Sequence, residues 1–354
     1  MEGCKKSKIL IKDIAERAGV STGTASIVLN GHGDAMRISK PTQQRVLDAA
    51  REMNYRLGSY RRESMSNEPT RRAVAVFWSV DLIDEEMGYF FSGIHSVIIE
   101  KSLDIEVYIK LYDIGTLHTY IDIMHPSRYS GIIICGPSDA DMAFLDSVSF
   151  MLPIVLMGRN SEKFNYVYTN YYEIGRNVAK LFKERGHERV GILTLKRRIH
   201  GSSLRQLGFL DSCEAYGLTI RPEWIQEGQA RNYDSGYAAA DAMLKSGSQP
   251  SAIFITAPGL ALGCIDACRG AGLSVPQDME ILVFGDDSLF AHYTPSISAV
   301  RTPVRELAIN ALSLLMLILE NNITMPMGRF LFGEYIFRES CGGFPDSVSA
   351  NRGI

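Results

Sequence analysis

Residues 9–55 read ILIKDIAERAGVSTGTASIVLNGHGDAMRISKPTQQRVLDAAREMNY. Their apolar spacing predicts three short helices with a tight turn between the first two. Ile11, Ile14, Ala15 and Ala18 recur on one helical face. Gly19 stands where a left-handed C-cap is wanted. Val20 can pack inward, and Ser21 is a good N-cap for the next helix. Ala25, Val28 and Leu29 form the inner side of that second helix. The third begins at Ser39, with Pro41 in the first turn where a missing N–H costs little. Its inner stripe is Val46, Leu47, Ala50 and Met53. Two helices joined in this way form a helix-turn-helix, which lays its second helix in the DNA major groove. The pattern alone also fits a small helical subdomain that binds no nucleic acid.

Charge separates these readings. Met1–Arg72 holds 14 Lys and Arg against 8 Asp and Glu, a net of +6, while the remaining residues carry a net of −9. A basic head on an acidic body suits a phosphate-binding module joined to a part that stays off DNA.

The blocks IKDIAERAGVS and TASIVLNG, with a Ser-capped helix ending at Asn54–Tyr55, resemble the DNA-binding head of lactose/galactose-repressor family transcription regulators. The resemblance continues more weakly to about Ser340. It implies a small all-α helix-turn-helix domain followed by an α/β, two-lobed, periplasmic-binding-protein-like body with parallel sheets. It also implies a double-stranded DNA operator, a small-molecule effector of sugar type and a homodimer. No cofactor is implied.

The residues of the body agree with that plan. AVAVFWSV (73–80), DIEVYI (104–109), GIIICG (131–136) and PIVLM (153–157) read as buried strands. A second series, RVGILTL (189–195), SAIFIT (251–256) and EILVFG (280–285), follows. Helical stretches alternate with them, so each series predicts a parallel sheet covered on both faces. Ligands in such sheets sit beyond the carboxyl ends of the strands. The expected domains are 1–56 for the head, 57–72 for a linker, 73–342 for the effector-binding and dimerisation body, and 343–354 for a tail, with Gly/Ser-rich fraying expected from Cys341. By the resemblance the chain crosses between lobes near residues 165, 292 and 325. Lobe one is then 73–165 plus 296–324, and lobe two 166–295 plus 325–342, with a cleft between them.

Composition bounds the class. The chain has 354 residues, 46% hydrophobic and 22% charged, as in ordinary globular proteins. The longest late apolar run, residues 311–320, is too short to span a bilayer and reads as a buried helix. Six scattered cysteines, with Cys264 and Cys268 four apart, read as reduced thiols in a cytoplasmic protein. The seven histidines show no metal spacing, and no P-loop, H-E-x-x-H or G-x-S-x-G is present, so no catalysis is expected.

Three sets of site residues follow. At the DNA, Thr22, Gly23, Thr24, Ser26 and Ile27 start or face outward from the second helix. The resemblance implies base-edge contact at Thr22, Gly23 and Ile27. An Arg is usual at the position of Ile27; Ile offers only apolar contact to a thymine methyl. Ser21, Asn30 and Tyr55 complete the expected surface. Lys5, Lys6, Lys8, Lys12, Arg37, Lys40 and Arg45 are phosphate candidates. In the linker, Arg61 and Arg62 are further DNA candidates, and Met65 takes the place of the family's minor-groove leucine wedge if the register slips by one. Gly58 weakens a helix there, so a basic tether fits equally well.

The effector residues are Trp78, Arg205, Arg231 and Asp286. Arg205, in the stretch R-x-x-G-F, matches a family Arg that holds ligand hydroxyls or a carboxylate. Asp286 matches an Asp that accepts from a sugar. Arg231 falls where an aromatic usually stacks, and Trp78, with Phe77, Phe90 and Phe91, offers aromatic walls or core. Ala257–Pro258 replaces the usual Asn–Asp, and Phe284–Asp287 reads F-G-D-D where G-[YF]-D-D is familiar. These departures argue against a neutral hexose in the usual pose and admit an anionic ligand. The reading is a ligand-responsive DNA-binding regulator of repressor type; its rival is a sugar sensor whose head has lost sequence-specific binding.

Overall fold

The computed structural model describes residues 9–29, 33, 36–53, 55, 72–80, 85–196 and 200–345. Three helices, α1 (Ile11–Ala18), α2 (Thr22–Leu29) and α3 (Lys40–Glu52), form the head. Gly19 ends α1 at φ 66° and ψ 42°, and the next amide, of Val20, closes on the Ala15 carbonyl at 3.0 Å. Only glycine adopts that conformation freely, so Gly19 sets the turn. Ile14, Ala25, Leu29, Val46 and Ala50 meet in one core with Ala49, which the sequence reading had left out of the third helix's stripe.

The chain divides into two units, the first of which includes the head. The first is Met1–Val167 with Ala308–Gly328; the second is Tyr168–Leu307 with Arg329–Ile354. The first unit's sheet contains β1 (Arg72–Ser79), β2 (Ile105–Tyr112), β3 (Gly131–Cys135), β4 (Ile154–Met157), β5 (Asn165–Thr169) and β11 (Gly328–Leu331), in the order β11-β5-β4-β3-β1-β2. β1 to β5 pair in parallel. The central strands β1, β3 and β4 are buried almost throughout, which is why they read as continuous apolar runs. Helices α4 (Glu85–Glu100), α5 (Asp139–Ser147) and α10 (Val304–Asn321) accompany them. Gly131 leaves room for Leu315 of α10, the helix foreseen from its apolar run. Buried Asp141 accepts from the Gly115, Leu117 and Ser138 amides, tying the loop after β2 to the start of α5.

The second sheet runs β12-β10-β9-β8-β6-β7. Its strands are β6 (Val190–Leu195), β7 (Ile225–Gly228), β8 (Ala252–Ile255), β9 (Glu280–Phe284), β10 (Ser298–Arg301) and β12 (Glu334–Ile336). All described pairings are parallel except β10 with β12. Helices α6 (Tyr171–Glu184), α7 (His200–Ala215), α8 (Tyr233–Leu244) and α9 (Ala261–Gly270) flank it.

Two expectations change. Residues from 296 onward were assigned to lobe one, but β10 pairs with β9 and β12 in the second sheet, and the chain leaves the second unit only after Leu307. The tail was expected to fray from Cys341. Cys341 is instead fully buried, and the Ser298 hydroxyl donates to its carbonyl at 2.7 Å. Gly343 accepts from Arg185, and Phe344 packs against Tyr335 and Phe337.

An ion pair anchors this closing segment. Arg185 donates to both carboxylate oxygens of Glu280 at 2.7 and 2.5 Å, and His187 Nε2 lies 3.1 Å from one of them. Burial opposes the charged carboxylate, but Arg185 and His187 outweigh it and hold the Glu280 pKa at about 2 against an ordinary 4.5. A depressed carboxylate pKa stabilises the fold above the ordinary value, and the contribution disappears as pH falls from about 4.5 toward 2. Glu280→Ala removes one partner of a largely buried pair and is expected to cost about 3 kcal/mol in urea denaturation at pH 7. The loss should shrink as the measurement pH approaches 3; an unchanged midpoint at pH 7 would show that the pair does not anchor the segment.

Candidate DNA surface and effector site

The start of α2 is built by its cap. Ser21 Oγ accepts from the Thr24 amide at 3.0 Å and lies 2.8 Å from the Thr24 hydroxyl. Both hydroxyls expected at DNA therefore also hold the helix terminus. Thr22 and Gly23 are exposed, while Ser26 and Ile27 are half-buried on the flank of α2. Lys12, Lys40 and Arg45 are exposed on α1 and α3, and Arg37 is exposed in the connection before α3. Tyr55 packs against the head core. Asn30, Arg61, Arg62 and Met65, together with Lys5, Lys6 and Lys8, lie outside the described residues.

The head touches the body within the first unit. His125 Nε2 lies 3.2 Å from the carbonyl of Leu29, the last residue of α2, and Met151 packs on the head core. These contacts engage the far end of α2 and leave Thr22 and Gly23 open to solvent.

The effector residues separate. Trp78 is a core residue of β1, 4.9 Å from the Phe90 ring and 6.3 Å from that of Phe91, with 2% exposure. It offers no surface for stacking on a ligand. Asp286 is also engaged: Arg338 donates to its two oxygens at 2.8 and 3.1 Å. Its neighbour Asp287 accepts from the Leu289 amide at 2.8 Å. Asp286 therefore does not stand open at the end of β9, while Asp287 is half-buried with one oxygen engaged. Arg231 is exposed on the loop before α8, and Gly259 lets its backbone approach.

Arg205 is the buried member of the set, at 4% exposure. Its place follows from two glycines. A Cβ on Gly175 of α6 would overlap the Arg205 carbonyl, and one on Gly208 of α7 would overlap the Tyr172 carbonyl. The two helices thus meet backbone to backbone, which explains the Gly of R-x-x-G-F. The guanidinium donates to the Thr256 carbonyl at 3.1 Å. Its Cζ lies 3.5 Å from the Phe284 ring centroid and 5.2 Å from that of Tyr171. The buried hydroxyls of Thr194, Ser202 and Thr256 have no hydrogen-bond partner among the described residues. They lie at the ends of β6 and β8 and the start of α7. The sequence reading missed Tyr171, Thr256 and Arg338. No local pattern marks an Arg that closes on an Asp 52 positions away.

Known proteins match this plan. The profile of bacterial regulatory proteins of the lacI family covers residues 10–56. The periplasmic binding protein-like domain covers residues 179–341. The head therefore matches the lacI family of bacterial regulatory proteins, and the body a periplasmic binding protein-like domain. The probable HTH-type transcriptional repressor ExuR of Bacillus subtilis (strain 168) is 27% identical over 316 residues, covering 88% of this chain and 92% of that protein. The transcriptional repressor PurR of Pectobacterium carotovorum is 27% identical over 317 residues, covering 86% and 89%. A LacI-family transcription regulator from Clostridium acetobutylicum superposes with a TM-score of 0.70 at 26% identity, over 75% of this chain and 99% of that one. The lac repressor dimer bound to operator shares the fold, with a TM-score of 0.66 at 20% identity over 94% and 99%. The chain thus pairs a lacI-type DNA-binding domain with a periplasmic binding protein-like body, and these relatives are transcriptional repressors rather than enzymes. Among the described residues, no helix is long and apolar enough to cross a membrane.

Two measurements test the site. Ser21→Ala should cost roughly 1 kcal/mol of head stability, read by thermal melting of the full chain, because the α2 cap is lost. Gly175→Val should force α6 and α7 apart and cost about 1–3 kcal/mol. Unchanged melting of the Gly175 variant would show that the crossing tolerates a side chain.

Proposed function

We propose that this chain is a lacI-family repressor that binds a pseudo-palindromic operator as a homodimer and responds to a small-molecule sugar or sugar derivative. The observation that carries the reading is the open α2 start. Thr22 and Gly23 are exposed on a module whose surroundings are basic, as major-groove insertion requires. The names of the relatives support repression as the outcome. Exposed apolar side chains on the edge strand β2, Ile109 and Leu111 with Tyr108, and Ile99 beyond α4's midpoint, support a self-association surface. A two-fold dimer would present two heads to two half-sites. The effector would bind beyond the carboxyl ends of β6, β8 and β9, where Arg205 sits, and would act through its unequal affinity for DNA-competent and incompetent states. The protein would work in the cytoplasm, where its DNA lies.

A gel shift against the upstream region of the chain's own gene checks the reading. Specific DNA should be retarded in a salt-dependent way and competed poorly by random DNA. Equal competition by random DNA would favour a sensor whose head no longer reads sequence. Ile109→Asp with Leu111→Asp should turn a sedimenting dimer into monomers and weaken the shift about tenfold or more, since dimeric binding joins two half-sites. A monomeric parent chain would remove the dimer from the proposal.

A further inference from the structure

We infer that the amino edge of the first sheet is a seat for the head of the same chain, and that His125 and Met151 are positioning residues that hold α2 in register for the operator. The inference rests on the reading of the head as an operator-binding module.

The seat is built from two loops. His125 lies just before β3 and Met151 just before β4. β3 pairs in parallel with both β1 and β4, so these loops share one edge with the start of β1. The chain enters the sheet at that edge, which is opposite the carboxyl edge where ligands of such sheets sit. The Ser130 amide donates to the Ala73 carbonyl at 2.6 Å and fixes the first loop beside β1. Both loops are rooted in the body. Met124 and Tyr129 on either side of His125, and Leu152 next to Met151, are buried in the core of the first sheet. Side chains mounted between core residues have little freedom to move, which suits them to hold another module.

His125 is fixed as a donor toward the head. The Ser127 amide donates to its Nδ1 at 3.2 Å, so Nδ1 is the accepting nitrogen and Nε2 carries the proton. Nε2 then donates to the Leu29 carbonyl at 3.2 Å. The last carbonyls of a helix lack partners inside it and carry the negative end of its dipole. α2 has no basic residue in its last turn, and the body supplies this donor from a residue 96 positions away. Met151 adds apolar contact. It packs on the cluster that holds Ile14, Leu29 and Val46, and its pliant thioether suits an irregular gap. Both contacts leave Thr22 and Gly23 exposed, so the seat positions α2 rather than blocking it. A head that is already oriented loses less freedom on binding DNA.

The test uses the full chain, first without DNA and then with it. Hydrogen exchange read by mass spectrometry follows peptides from α2, from β1 and β3, and from the second sheet. In the double variant His125→Ala with Met151→Ala, α2 should exchange about tenfold faster while the strands keep the parent's protection. His125→Gln retains an N–H that can reach the Leu29 carbonyl and should keep α2 within about twofold of the parent. In the gel shift against the upstream region of the chain's own gene, the double variant should bind specific DNA about fivefold or more weakly, with its sedimentation unchanged. Unchanged α2 exchange, an equal rise in the β1 and β3 peptides, or operator affinity equal to or tighter than the parent's overturns the proposal. The exchange measurement needs no DNA, so a chain that shows the α2 response but retards no specific DNA fails the regulator reading alone.

Discussion

The backbone contact between α6 and α7 governs the second unit. Gly175 and Gly208 let these helices meet without intervening side chains, and that closeness seats Arg205 against Thr256 and Phe284. A long cation is poorly suited to burial, because leaving water costs several kcal/mol unless the new surroundings compensate. Here a carbonyl and an aromatic face do part of that. The helices α8 and α9 repeat the device, with Gly236 against the Leu260 carbonyl and Gly263 against the Tyr233 carbonyl. The second unit is therefore built from two closely packed helix pairs.

Two carboxylates of the second unit sit in closed sets with cations. Glu280 is enclosed by Arg185 and His187, and Asp286 by Arg338. Both sets hold down the segment that follows β12, since Arg338 also donates to the Ile297 carbonyl and Arg185 to that of Gly343. The carboxylate that resembles a sugar ligand in sequence is thus spent on closing the fold.

The fold was legible where burial is two-sided and long. β1, β3, β6 and β9 are continuous apolar runs, and each was placed within about a residue or two of its ends. Five strands were not foreseen: β5, β7, β10, β11 and β12. They have five residues or fewer, and all but β5 and β10 are sheet edges with polar or exposed positions, as in EYI of β12. The crossing that the resemblance put near residue 292 falls before β10, which pairs in the second sheet. The head was legible in nearly full detail because caps and turn residues act locally, as Gly19 and Ser21 do.

What the amino-acid order determined by itself was local: the capped helices of the head, the apolar strands of two parallel sheets, and the basic bias of residues 1–72. Each depends on neighbours a few positions apart. Only the tertiary structure decided which candidate ligand groups stay available. Trp78 went to the core, Asp286 to Arg338 and Arg205 to the ring of Phe284, through contacts spanning 12 to 79 positions in the chain. A side chain's chemistry is written in its type, but its partner is chosen by packing, and packing joins residues that the sequence keeps far apart.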